Sequence, residues 1–188
     1  MHTHQITRST FITLISIVIV GVLSRTVLHV APNFELITGL TLLSATRLPK
    51  QLSWLAPLAM LLISDFIIGN SAIFLFTWSG FAVTYVIGRL SSEKLTGSRF
   101  LKRIIGYELL AIASVAFFYF WTNFGVVLTS TMYVHNLVGY GQSLIMALPF
   151  LKTQIISVAL TTPIIVVVYE VATGYLKANL ASVKKLIA

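Results

Sequence analysis

Residues 104–128 read IIGYELLAIASVAFFYFWTNFGVVL, twenty-five residues in a row with a single charge, at Glu108. The hydrocarbon core of a bilayer is about 30 Å thick, and a helix of roughly 20 predominantly apolar residues crosses it. No water is available there to satisfy a backbone, so the stretch is predicted to be a membrane helix. Runs of the same kind flank it at 9–30, 51–68, 71–89 and 153–176, with a shorter one at 35–47. The short one is expected to be tilted or shielded by its neighbours. Gly69 and Asn70 favour a tight turn, which makes 51–89 a helical hairpin. The run at 9–30 is too long for a signal peptide and lacks a small-residue cleavage signal, so it is expected to stay in the membrane. The stretch 129–152 is interrupted by His135, Asn136, two glycines, Gln142 and Pro149. It is expected to be an outer loop with a short helix.

Composition agrees with this reading. Of 188 residues 57% are hydrophobic and 10% charged, and the mean hydropathy is +0.93, far above that of a water-soluble domain. The fold class expected is an all-α integral membrane protein, a six-helix transmembrane bundle forming one domain over 1–188. Such a bundle leaves no room for a soluble catalytic domain. The absence of cysteine excludes disulfides, thiolate metal sites and cysteine nucleophiles. The net charge is +8, but the basic residues fall in short clusters between apolar runs and form no stripe able to track a nucleic acid.

Those clusters orient the chain, because cytoplasmic loops carry the excess of Lys and Arg. Six spans with both termini inside place eleven of the thirteen basic residues on the cytoplasmic side and leave only Arg25 and Lys152 elsewhere. A seventh span through 137–151 would send the tail outside and is disfavoured. The loop from Arg89 to Arg103 holds five basic residues and is suited to anionic lipid headgroups.

Polar residues at membrane depth are costly and usually face a cavity or a partner. Arg25 and His29 are four apart near the outer end of the first span, hence on one face. Glu35 opens the second, Asp65 lies a turn before the end of the third, and Asn123 lies near the outer end of the fifth. Phe34, Trp78, Trp121, Phe124 and Tyr133 fall at the same level. Aromatic walls with a few convergent polar groups describe a small-molecule pocket. The candidate substrate-binding residues are therefore Arg25, His29, Phe34, Glu35, Asp65, Trp78, Trp121, Asn123 and Tyr133. A plainer account stands beside this one. Arg25 and Asp65 also suit a structural ion pair, Glu35 a helix N-terminus, His29 a headgroup contact, and the tryptophans an interfacial belt. Trp78, Phe81 and Tyr85 form an aromatic stripe suited to core packing. Thr153, Ser157 and Thr161 form a polar face before Pro163, where a kink is expected. Glu108 and Glu170 lie nearer the cytoplasmic end, where Arg or Lys partners are expected. No His-Glu-x-x-His, Gly-x-Ser-x-Gly, paired-carboxylate or phosphate-cradling motif is present, so no catalytic residue, metal or cofactor is assigned and no enzyme is expected.

Several phrases carry a resemblance: Ala31-Pro32-Asn33-Phe34-Glu35 with Ile37-Thr38-Gly39, Leu55-Ala56-Pro57-Leu58 through Ser64-Asp65-Phe66-Ile67-Ile68-Gly69, Trp121-Thr122-Asn123-Phe124-Gly125-Val126, and Thr131-Met132-Tyr133 through Ala147-Leu148-Pro149-Phe150. They resemble a family of uncharacterised bacterial membrane proteins that looks like the substrate-binding S components of energy-coupling factor (ECF) transporters. The resemblance covers roughly 25–163. It implies a six-helix bundle in the bacterial inner membrane with both ends cytoplasmic, and an outward pocket closed by the loops 31–34, 69–71 and 129–152. It also implies uptake of a vitamin or related micronutrient, with a shared ECF coupling protein and a pair of ATPases as partners. No Walker A motif is present, so ATP hydrolysis would belong to those partners. The first span departs from S components in one respect: Ser16, Gly21 and Ser24 stand where an Ala-x-x-x-Ala docking motif is usual. Outside transport, the alternative function is a non-transporting membrane scaffold whose outer charges are structural.

Overall fold

The computed structural model describes residues 6–28, 31–69 and 71–174. Among these the chain is helical throughout, in the order α1 (Arg8–Thr26), α2 (Ile37–Arg47), α3 (Lys50–Ser53), α4 (Leu55–Ile68), α5 (Phe74–Leu90), α6 (Ser92–Thr96), α7 (Phe100–Thr129) and α8 (Leu137–Ala172). Four stretches are long and apolar enough to cross a membrane: α1, the nearly continuous 50–68, α7 and α8. The outer surface of the bundle is apolar, with Phe66, Leu75, Leu109, Ile145 and Ile164 all exposed. Such a surface suits lipid and not water. The sequence-derived spans at 51–68, 71–89 and 104–128 fall on helices, α1 ends at Thr26, short of the expected 30, and the expected span at 153–176 falls largely within the longer α8.

α2 is the pillar of the bundle. Every residue from Ile37 to Thr46 is buried, and it touches α1, α4, α5, α7 and α8. At 1.5 Å per residue its 11 residues reach only about 16 Å, half the thickness of a hydrocarbon core. Shielding by its neighbours, not tilt into lipid, makes this length workable. Two of its hydroxyls bond within the helix, Ser44 Oγ donating to the Thr41 carbonyl at 2.9 Å and Thr46 Oγ1 to that of Leu42 at 2.8 Å, whereas the buried Thr41 Oγ1 has no hydrogen-bond partner among the described residues. Small residues bring its partners close: a Cβ on Gly88 of α5 would sit 3.0 Å from that of Ala45.

The stretch 129–152 differs from the expected outer loop with a short helix. The connection is only 130–136, and α8 then runs unbroken for 36 residues through Pro149 and Pro163. Asn136 starts it, its Oδ1 accepting from Gly139 N at 3.0 Å. Gly139 is required by contact and does not break the helix, since a Cβ there would lie 1.9 Å from the Val134 carbonyl oxygen. α7 and α8 thus form a long antiparallel hairpin, pinned by Tyr119 donating to the Leu144 carbonyl and Tyr140 to that of Phe120 at 3.1 Å.

Lys and Arg gather at one end of the bundle, at the α1 and α7 N-termini and the α2 and α5 C-termini. Arg103, fully buried, donates from Nε to Glu170 Oε1 at 2.5 Å and from Nη2 to Oε2 at 3.0 Å. Arg47 Nη2 reaches the same Oε1 at 2.8 Å. Glu170 is therefore paired as expected, whereas Glu108 makes no ion pair among the described residues and its buried Oε1 has no hydrogen-bond partner there. The basic positions 177, 184 and 185 lie outside the described residues.

Candidate functional site

At the end of the bundle away from the basic cluster, α1 and α4 finish side by side. They approach closely at Gly21, where a Cβ would fall 2.0 Å from Met60 Sδ. One turn later this contact sets Arg25 against Asp65. Arg25 Nη1 donates to Asp65 Oδ1 at 2.5 Å and to Ser64 Oγ at 2.6 Å, while Trp78 Nε1 of α5 donates to Asp65 Oδ2 at 2.7 Å. Both carboxylate oxygens are occupied, and the Asp65 side chain is 5% exposed against 20% for Arg25. Asp65 and Trp78 thus form a lock joining α1, α4 and α5. Both bonds from Arg25 use Nη1, so Nε and Nη2 have no partner among the described residues and remain as donors on the open side.

That open side is a cavity of about 700 Å³ bordered by Arg25, Phe34, Glu35, Phe81, Phe118 and Gln154. A second lobe of about 380 Å³ continues from it, bordered by Asn123, Met132, Tyr133, Ser143, Met146 and Phe150. The lobes share Asn33, Phe118, Thr122 and Gln154 in their walls and so adjoin one another. Asn33 reaches both because a turn, closed by Phe34 N donating to the Ala31 carbonyl at 3.0 Å, holds it at φ 60. This left-handed conformation is one that asparagine tolerates better than most residues.

Glu35 has two jobs. Its carboxylate caps α2, Oε2 accepting from Thr38 N at 2.8 Å and Oε1 from Thr38 Oγ1 at 2.5 Å. Its backbone is clasped by α8, Ser157 Oγ accepting from Glu35 N at 2.8 Å and donating to the Glu35 carbonyl at 2.6 Å. Asn123 is held similarly, Nδ2 donating to the Tyr119 carbonyl at 2.8 Å and Oδ1 accepting from Ser143 Oγ at 2.7 Å.

Of the residues singled out in the sequence, the structure brings Arg25, Phe34, Glu35, Asn123 and Tyr133 to this space. Asp65 and Trp78 stand behind Arg25 and border neither lobe. Trp121 turns away: its Nε1 donates to Ser79 Oγ at 2.8 Å, and its ring packs with Phe76, Phe117 and Phe124 on the α5–α7 seam. His29 lies outside the described residues. The aromatic stripe of α5 is mainly packing, with Phe81 against Phe118 at 5.0 Å and Tyr85 hydroxyl 2.9 Å from Ser53 Oγ, yet Phe81 also borders the cavity. Gln154, Asn33, Thr122 and Ser143 were not singled out. Asn33 and Gln154 were visible as polar residues beside the predicted pocket level, but their direction around the bundle was not.

The two lobes together offer one guanidinium, one carboxylate, several amides and hydroxyls, and four phenylalanine rings. No group of three metal-ligating side chains occurs among the described residues. Over residues 5–181 the sequence matches the model of a family of unknown function, DUF6580. The chain belongs to that family. No curated protein and no solved structure matches it. For this DUF6580 member the two-lobed cavity is therefore the main physical guide to function.

Proposed function

We propose that the protein is an S-component-like substrate-binding subunit that captures a small vitamin-like molecule in an outward-facing pocket of the bacterial inner membrane. A separate coupling protein and an ATPase pair would energise its uptake. The observation that carries this reading is the two-lobed cavity at the end opposite the basic cluster. Its lobes fall in the size range of pockets that enclose small ligands. Arg25 serves an anionic or acceptor group, and Glu35 with Gln154 serves donor groups. Phe34, Phe81 and Phe118 stack against a flat ring. The smaller lobe, walled by Met132, Met146 and Phe150 with Asn123 and Tyr133 as polar points, takes a less polar extension of the same molecule. Asp65 and Trp78 position Arg25 without touching the ligand.

Mass spectrometry of small molecules released by denaturing the gently purified protein tests this. A stoichiometric compound is expected from the wild type and not from Thr122→Trp, which fills the junction of the two lobes. An empty wild type, or a compound kept equally by a folded Thr122→Trp, refutes the assignment. The competing reading is a membrane scaffold, and it draws on the full occupancy of Asp65 and on Glu35 acting as a helix cap. It expects both samples to be empty and equally stable.

A further inference from the structure

A groove of about 480 Å³ separates α1 from α8 on one flank of the bundle and shares no lining residue with the candidate pocket. Ile12 and Val20 of α1 face Ile164 and Val168 of α8 across it, over a floor of Leu40 and Leu43. From Ser9 to Val20 it follows α1 for eleven residue steps, about 17 Å. One leaflet of a hydrocarbon core is about 15 Å deep. At the basic end the groove opens into a polar chamber of about 670 Å³, and the two share Ser9, Thr13, Tyr169 and Thr173. The chamber is bordered by Thr7, Thr10, Thr46 and Thr96, by Arg47 and by Glu93. Arg8 follows Thr7 in sequence, Lys50 follows Pro49 of the chamber wall, and Lys94 follows Glu93. Arg47 and Arg103 together meet the single carboxylate of Glu170. The potential at this end is therefore positive.

An apolar trough one leaflet long, ending in a threonine-lined chamber of positive potential, has the polarity profile of a membrane lipid. We infer that this seat holds one anionic phospholipid from the leaflet at the basic end. An acyl chain lies between α1 and α8, and the phosphate sits in the chamber beside Thr7, Thr10 and Arg47. Both the length of the trough and the sign of the charge select this occupant. The lipid fills the gap between α1, which packs on α2 and α4, and α8. It thereby ties the first helix to the last.

The test uses the full chain reconstituted in vesicles of equal parts phosphatidylglycerol and phosphatidylcholine, extracted in mild detergent and weighed by native mass spectrometry. One phosphatidylglycerol per protein is expected to survive extraction, at about tenfold the occupancy of phosphatidylcholine. Ser16→Trp and Val168→Trp, which fill the trough from its two sides, should each bring phosphatidylglycerol down to the phosphatidylcholine level. Ile63→Trp, on the exposed face of α4, should leave it unchanged. Thermal melts identify any variant that fails to fold, and two independent trough variants guard against that outcome. No retained lipid, equal retention of both lipids, or retention that survives both trough variants overturns the inference. A detergent-stable dimer lost in Ser16→Trp overturns it in favour of a second copy of the chain. The released-compound measurement reports on the opposite end of the bundle, so the two proposals fail separately.

Discussion

Replacing Asp65 by Asn keeps the shape of the side chain and removes its charge. In the structure Asp65 receives Arg25 at 2.5 Å and Trp78 at 2.7 Å. The amide can still accept from one of them, but its NH2 group now faces a donor. Removing one partner of a fully buried ion pair costs about 3–5 kcal/mol. Arg25 is one-fifth exposed and borders a cavity that admits water, so the stranded guanidinium recovers part of its hydration and the expected loss is about 2–3 kcal/mol. For a chain of this size, 1 kcal/mol shifts Tm by about 2–4 °C. A fall of about 4–12 °C is therefore expected in a detergent melt. The paired variant Arg25→Gln with Asp65→Asn should recover part of this loss, because both charges are then gone. An Asp65→Asn melt within about 2 °C of wild type, well below that range, or strict additivity in the double variant, would refute the claim that the pair locks α1 to α4. If the cavity binds as proposed, Asp65→Asn weakens the ligand indirectly, through a misplaced Arg25, and Gln154→Leu weakens it with little change in Tm.

Three further outcomes are expected. Glu170→Gln strands two guanidiniums at a fully buried site and should cost about 3–5 kcal/mol, the largest single loss among these variants, read by thermal melting. Gly21→Val should cost about 1–3 kcal/mol through overpacking against Met60, and Met60→Ala in the same chain should restore part of it; no rescue would mean that the α1–α4 approach is not set at this contact. Ser157→Ala removes both bonds to the Glu35 backbone and should lower stability by about 1–3 kcal/mol, while hydrogen exchange at residues 35–38 rises. Unchanged exchange there would show that α8 does not hold the start of α2.

The spans were legible because length and charge are one-dimensional properties. Residues 104–128 need no partner to be recognised as a membrane helix. The facing of Arg25 and Asp65 was legible as a common depth, since both lie near span ends with the same direction. Trp121 shows where that logic stops: it shares the depth of the pocket but points to Ser79, because azimuth depends on how α5 and α7 are rotated against each other. Gln154 is the converse case, a polar residue on α8 that the packing turns inward. The start of α8 was hidden for another reason. Gly139, Gly141 and Pro149 are helix breakers by local propensity, and only the contact of Gly139 with Val134 and the capping by Asn136 make a helix the better solution.

α2 has a bearing on how the chain is made. A helix of 11 residues carrying three threonines and a serine, with no face left for lipid, has little to gain from entering a bilayer by itself. During synthesis it emerges directly after α1, before α5, α7 and α8, which later enclose it. The nascent chain must therefore keep this segment waiting, at the interface or beside the insertion machinery, until the C-terminal hairpin arrives. Enclosure of α2 is then completed only by α8, and a ribosome stalled before residue 137 would hold a chain whose central pillar lacks that wall.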